Sequence, residues 1–388
     1  MNGRREGLAL VLAVAALLLL SVLTLGMLYV ATQELLVARA REAWFRARLG
    51  AESAVRAALA GWSTAEFRDL PVGASRPAPG AAGVLPGGVR HGAMVERLAG
   101  PLYLVRGEGW TGEEGGGSRA VAASAVLVRG IEPGEVSAGF AAAVTSGGEV
   151  VVGGGGEVDG LDAAAPPPGW PAAFCPPAGG EEPGAGPGGA ARPGIRIPDA
   201  AAVTAGDGSI RGEPPIAVDP GAADSAAFAR LGPLAWEDLE ALADHIVGGG
   251  VHLAPRYREG ACDTAARGNW GSPLDPEGPC GEFFPLIFAS GDLTIRSGAG
   301  QGMLVVGGDL ILERGARFYG PVLVRGRAVV LEDAAIYGAL RAGAHGATTV
   351  VDGGAVAYRS CAIARALARS PGLDRPLRSH ARWWLPAF

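Results

Sequence analysis

An unbroken apolar run from Leu8 to Ala31, behind the short basic stub Met1-Asn2-Gly3-Arg4-Arg5-Glu6-Gly7, limits what this chain can be. No charged residue follows the stub until Glu34. A helix rises about 1.5 Å per residue, so roughly 20 residues cross the ~30 Å hydrocarbon core of a bilayer. The apolar region of a secretory signal is only about 7–15 residues long, and a small-residue cleavage site follows it. This run is longer and has no such site behind it. The sequence therefore predicts a single N-terminal membrane span, with most of the chain as a large domain on one side.

The remaining composition narrows the class of that domain. A length of 388 residues suits an anchor plus two or so folded units. The formal net charge of -6 gives no basis for nucleic-acid binding. Glycine is abundant, at 64 residues with 29 prolines, which points to turns, bulges and tightly stacked backbone. All basic side chains other than histidine are arginines, a bias without functional weight because it fits a GC-rich genome.

Four cysteines are present, Cys175, Cys262, Cys280 and Cys361, and none forms a CxxC pair. An even number beside a membrane anchor fits two disulfides in an oxidising compartment, against four reduced buried thiols as the alternative. Three connectivities are open. Cys262–Cys280 is preferred, because both lie in one irregular loop rich in Gly, Pro and Asp that lacks a core of its own; Cys175 is then left with Cys361. Orientation is less direct. Arg4 and Arg5 flank the short side of the span, whereas Arg39, Arg41, Arg46 and Arg48 follow it. A count of positive charges does not place the N-terminus in the cytoplasm, but long domains translocate largely regardless of charge.

The helix is expected to continue past the membrane to Trp62. Leu35, Leu36, Ala40, Ala43, Ala47, Ala51, Ala54, Val55, Ala58 and Leu59 recur at three- and four-residue steps, with Arg39, Glu42, Arg46 and Arg56 mostly between them. Gly61 and Pro71 mark its exit. Three strands follow the 63–85 connection, at 90–98, 102–110 and 119–128, and their short links predict an antiparallel meander. The last third carries an internal repeat. Gly302, Gly320 and Gly338 are spaced by 18, and Phe318-Tyr319-Gly320 aligns with Ile336-Tyr337-Gly338. Leu310-Ile311-Leu312 aligns with Ala328-Val329-Val330, and with Leu293-Thr294-Ile295 at a step of 17; Val329-Val330-Leu331 matches Thr349-Val350-Val351 at a step of 20. Short apolar strands with glycine corners at this period predict the rungs of a parallel β-solenoid. Fragments at 148–160 and 201–218 read as further rungs, with irregular excursions at 163–197 and 253–283. Trp236, Leu239, Ala243 and Ile246 share one face of a helix ending at Gly248-Gly249-Gly250. A short helix from Cys361 to Arg369 is placed as a cap on the open end of the solenoid. The fold class is thus α+β, mainly β, with four segments: helix 1–62, linker and meander 63–135, solenoid 136–370 and tail 371–388.

The stub, the apolar helix, Gln33-Glu34 and Ala51-Glu52-Ser53-Ala54-Val55-Arg56-Ala57-Ala58-Leu59 resemble the N-terminal segments of PilX-type type IV pilus assembly proteins. The resemblance covers roughly the first 62 residues. The C-terminal rungs, ending Ala357-Tyr358-Arg359-Ser360-Cys361-Ala362-Ile363, look like the β-solenoid region attached to many such bacterial proteins. The resemblance implies a minor-pilin-like subunit that works with other pilin-like subunits. It would be anchored in the bacterial inner membrane, with a cytoplasmic N-terminus and an extracytoplasmic head able to reach the cell surface in pili. It also implies a processing site at Gly7, with cleavage before Leu8. Leu8 stands where the family usually has Phe or Met, and Leu12 stands where major pilins place a glutamate. Those departures imply a rare, priming or regulatory subunit, or one that is never cleaved.

No catalytic, cofactor-binding or metal-binding set emerges from the sequence. A β-helix carbohydrate-active enzyme needs clustered carboxylates on one face. Asp292, Asp309, Asp333 and Asp352 recur near rung turns with Arg325, Arg327 and Arg341 nearby, which reads as turn chemistry and an arginine-coated surface. His91, His245, His252, His345 and His380 have no ligand spacing. Gly153 to Gly156 is not a phosphate loop, as no Gly-Lys-Ser/Thr follows. Asp159 and Asp162 read as a surface turn rather than a calcium pair, and Trp383-Trp384 as a tail docked on the domain rather than an adhesive patch. The expectation is a non-enzymatic pilus or pseudopilus component whose head makes subunit, surface or glycan contacts. The alternatives are a static envelope scaffold whose heads stack, and the β-helix enzyme.

Overall fold

The computed structural model describes residues 3–112, 120–162, 166–171, 174–175, 191–228 and 230–378. The chain forms two compact units, one built on the N-terminal helix and residues 69–129, the other on residues 63–68 and 130–377.

In the first unit a single helix, α1, runs from Gly3 to Ala60. The 63–85 connection supplies two short strands, β1 (Ser75–Pro77) and β2 (Gly83–Leu85), both antiparallel to β3 (Val89–Ala99). The meander continues through β4 (Leu102–Thr111) and β5 (Ala120–Arg129). Arg119, expected to open the third strand, lies outside the described residues. Period-2 alternation sets the faces. Tyr103, Val105, Gly107 and Gly109 of β4 are buried, whereas Leu102 and Leu104 are not. The buried stripe of α1, formed by Ala47, Gly50, Ala51, Ala54, Val55 and Ala58, lies across this face.

Glycine makes the approach possible at two points. A Cβ on Gly109 would sit inside contact distance of the Ala47 carbonyl, and one on Gly107 would meet Val55 Cγ2 at 2.7 Å. Backbone carbonyls cannot step aside, so Gly109→Val is expected to destabilise this unit by about 3 kcal/mol. Thermal unfolding in detergent checks this, with Glu108→Ala, on the half-exposed face of the same strand, as a near-neutral control.

The second unit is built on a curled sheet whose described pairings are all parallel, with two short antiparallel hairpins at 230–235 and 257–262 beside it. Its strands fall into three columns. One column holds 245–247, 286–289, 303–306, 322–324, 340–342, 144–146, 195–197 and 216–218 in order of neighbours. The second holds 249–251, 293–295, 310–312, 328–330, 349–352, 150–153 and 203–205. The third runs through 299–301, 317–319, 335–337, 355–358, 157–159 and 209–211. Inward side chains such as Leu293, Leu310, Ala328, Val351 and Val150 stack into one core. The 18-residue repeat sets the pairing directly, since Gly320 stands opposite Gly338 and Phe318 opposite Ile336.

Several sequence expectations need correction. The match of Val329 with Thr349 at a step of 20 is one residue short: Val329 pairs with Val350, a step of 21. The extra residues are taken up near the turn at Ala344–Gly346. Burial decides the register, because a one-residue slip would turn buried Val351 outward. The helix placed at 236–246 stops at Leu242. His245–Leu253 is a strand, with the three glycines inside it, because His245, Ile246 and Val247 find partners in Ile287, Phe288 and Ala289. The excursion placed at 163–197 ends before the strand Ile195–Ile197.

The order of stacking was also not visible in the sequence. Residues 144–218 stack beyond 338–358, so the chain enters mid-stack, runs to one end, and crosses to the other end at 245. The crossing segment lies along the first column, where Arg325 covers the Trp236 ring at 4.2 Å and Arg341 covers Phe228 at 4.7 Å. The helix Ser360–Arg369 does not cap an end. It packs through Ala362, Ile363, Ala366 and Leu367 on the flank formed by 317–324 and 335–342. Its first turn is held by Asp162, whose Oδ1 accepts from the Ser360 N–H at 3.1 Å, and by a Cys175–Cys361 disulfide. The second disulfide, Cys262–Cys280, closes the loop after Leu253.

The unit extends past Ser370 to a lock on the crossing segment. Asp244 accepts backbone N–H bonds from Leu286 at 2.9 Å and Gly372 at 3.1 Å, and pairs with Arg375 at 2.6 Å. Burial nevertheless raises its carboxyl above the usual range, outweighing these partners. Burial lowers the neighbouring His245 below its usual 6.5, against the pull of Asp244. A depressed imidazole is neutral in the folded state where the unfolded chain is already protonated. Its contribution is therefore present above pH 6.5 and lost as pH falls through its folded value. His245→Leu is expected to flatten the decline in melting temperature just below that pH.

Candidate membrane and assembly helix

The first half of α1 has the features a bilayer requires. Side chains from Leu10 to Val30 are exposed along the helix, and the run is long and apolar enough to cross a membrane. Its serine and threonine hydroxyls are internally satisfied. Ser21 Oγ donates to the Leu17 carbonyl at 2.8 Å, Thr24 Oγ1 to Leu20 at 2.6 Å, and Thr32 Oγ1 to Tyr29 at 2.7 Å. In hydrocarbon, where no water can serve these groups, this removes the cost of burying them. Tyr29 lies near the end of the run, where an amphipathic ring suits the membrane interface.

Beyond Glu34 the helix changes character. Glu42 pairs with Arg46 at 2.5 Å and Arg48 with Glu52 at 3.1 Å, both at i,i+4. These pairs favour the helix but are exposed or half-exposed, and each contributes only a few tenths of a kcal/mol. Trp44 and Phe45 meet edge to face at 5.4 Å, and Arg48 lies 5.7 Å from the Trp44 ring. Of the predicted apolar stripe, the buried part begins at Ala47; Leu35 and Leu36 are exposed, as are Phe45 and Leu49. One helix thus presents an unpartnered apolar segment, an exposed apolar strip and a small-residue face seated on a sheet.

The processing candidates Gly7 and Leu8 lie inside the first turns of α1. Leu12 is exposed with the rest of the apolar segment. The sequence reading missed Gly107 and Gly109 as the seat of the helix. A glycine at alternate positions of a strand, facing an alanine stripe, was the available signal.

The carboxylates of the curled sheet serve its turns. Asp292 Oδ1 accepts from the Asp309 N–H at 2.8 Å, and Asp309 Oδ1 accepts in turn from Arg327 N–H at 2.8 Å. Asp333 and Asp352 occupy a different corner, where Asp333 takes a left-handed conformation with φ 60°. The four do not converge. Asp159 is engaged by Leu161 N–H and Arg211, and Asp162 by Ser360 N–H. His91 contacts the Ala81 carbonyl through Nδ1, and His252 contacts Ser297. The His345 side chain, His380, Trp383 and Trp384 lie outside the described residues. Among the described residues no group of three or more His, Cys, Asp and Glu is placed to hold a metal ion.

Burial and stacking of Trp170 on Tyr319, with ring centroids 5.6 Å apart, accompany a Tyr319 hydroxyl that donates to the Pro168 carbonyl at 2.6 Å. Burial pushes its pKa up to about 12. Comparison with family models, with curated proteins and with solved structures finds no match to this chain.

Proposed function

We infer that the chain is a membrane-anchored, minor-pilin-like subunit of a type IV pilus or pseudopilus, and that its curled parallel sheet is a β-solenoid head for subunit or surface contacts. The observation that carries this reading is the division of α1. Its first half is apolar and unpartnered, and its second half is seated on an antiparallel sheet through small residues. Such a helix can hold the subunit in the inner membrane and then exchange lipid for the apolar helices of neighbouring subunits. The two disulfides favour a head outside the cytoplasm, with the N-terminus inside. In this reading the protein works by assembly and not by catalysis.

Deleting the gene in the native bacterium tests the reading. The expected result is a change in pilus number, cell aggregation or adhesion, restored by the intact gene. Unchanged pili, aggregation and adhesion would overturn it.

A further inference from the structure

The curled sheet ends in free strand edges at both ends of the stack. At one end, 203–205, 209–211 and 216–218 each pair on one side only among the described residues. At the other, His245–Leu253 pairs, among the described residues, only with Leu286–Gln301. The helix expected to cap the stack lies on its flank instead. Unpaired parallel edges are templates for further pairing, and stacked repeats without terminal caps leave apolar surface open.

The terminal turns also leave their core incompletely covered. Val203, Ile210 and Ile216 at one end, and Val247 and Val251 at the other, pack against the core but are only partly buried. Gly248 and Gly249 have open space where a side chain would stand. Glycines inside an edge strand allow another backbone to come close.

The two ends match each other in two respects. All strands run in the same direction through the stack, and their charges are opposite; at the 245 end the third column is already covered, since the Gln301 N–H donates to the Trp270 carbonyl at 2.8 Å. Residues 198–224 hold Asp199, Asp207, Glu213, Asp219 and Asp224 against Arg211 alone, although Arg196 holds Asp219. At the other end Arg256 and Arg258 follow the edge and Arg296 lies against Gly250, although Asp263 pairs with Arg258 at 2.8 Å and Glu259 stands beside it.

We propose that the free edge at 203–218 docks on the edge at 245–253 of a second copy of this chain, continuing the parallel sheet from head to head. Main-chain hydrogen bonds supply the contact, as in strand addition at a sheet edge, and the opposite charges fix which ends meet. The contact is heterologous, with a different surface on each side, so it repeats without closing and builds linear arrays. It does not depend on the pilin-like reading, in which association runs through α1.

The full chain in detergent micelles tests this by sedimentation velocity over a range of protein concentrations and by negative-stain microscopy. The expected result is a sedimentation coefficient that rises with concentration, with short rods visible. Asp207→Arg and Arg256→Asp, both at exposed positions, should each raise the concentration needed for assembly at least about tenfold, and the double variant should recover it. A particle that stays monomeric at every concentration overturns the proposal. Assembly indifferent to both single reversals also overturns it, and would assign association to α1. An unchanged near-ultraviolet circular dichroism spectrum in each variant separates lost contact from lost fold.

Discussion

Gly320→Val is expected to collapse the curled sheet, with a loss of about 3–5 kcal/mol. Gly302, Gly320 and Gly338 stack one above another at a corner of successive turns, with φ of 114°, 133° and 157°. A side chain in this region of backbone space costs about 1–3 kcal/mol by itself. The second cost is steric. A Cβ on Gly320 would run into the Gly302 carbonyl and would also meet Ala366 Cβ at 3.1 Å. The first neighbour is backbone held by the parallel ladder, so relief requires breaking the pairing between turns. Overpacking of this kind adds about 1–3 kcal/mol. Gly315→Ala is the matched control. Its φ is 77°, but nothing lies within 4 Å of an added Cβ, so only the conformational cost of about 1 kcal/mol should appear. Urea unfolding followed by tryptophan fluorescence distinguishes the two. Equal losses would mean that stacking of the glycine corner does not hold the sheet.

The second large effect is expected from the disulfides. Cys175–Cys361 closes a separation of 186 residues and Cys262–Cys280 one of 18. On a chain-entropy argument the long closure stabilises by about 5 kcal/mol and the short one by about 3 kcal/mol. Cys361 also lies in the first turn of the helix that covers Tyr319 and the flank of the sheet. Cys361→Ser should therefore destabilise more than Cys262→Ser and should release this helix to proteolysis, while Cys262→Ser leaves it protected. Non-reducing gels of isolated membranes provide a second check. Four blocked thiols place the head in an oxidising compartment; four thiols that react with maleimide after unfolding would place it in the cytoplasm.

The legible parts of the fold were those written in local periodicity. The apolar run and the alanine stripe ending at Gly61 repeat within one helix, and the 18-residue spacing of Gly302, Gly320 and Gly338 sets contacts between near neighbours in sequence. The pairing of 338–358 with 144–159 links segments almost two hundred residues apart, and no period connects them. The strand at His245–Leu253 was hidden because three consecutive glycines read as a helix terminator. In the structure they form an edge with partners on one side only, a position with little demand for side chains. The helix Ser360–Arg369 was recognised from its composition, but its docking site was not. An amphipathic helix shows that it has a partner surface without saying which one, and here the surface is Gly320 and Tyr319 on the flank.

The assembly reading stands on α1, and the most direct test is the intact mass of the N-terminus in two fractions, sheared surface filaments and washed membranes. The account predicts a chain beginning at Leu8 in the filaments, because Arg4, Arg5 and Glu6 of the stub would be costly to bury among apolar helices. A chain that still carries Met1 to Gly7 and occurs only in membranes would contradict it.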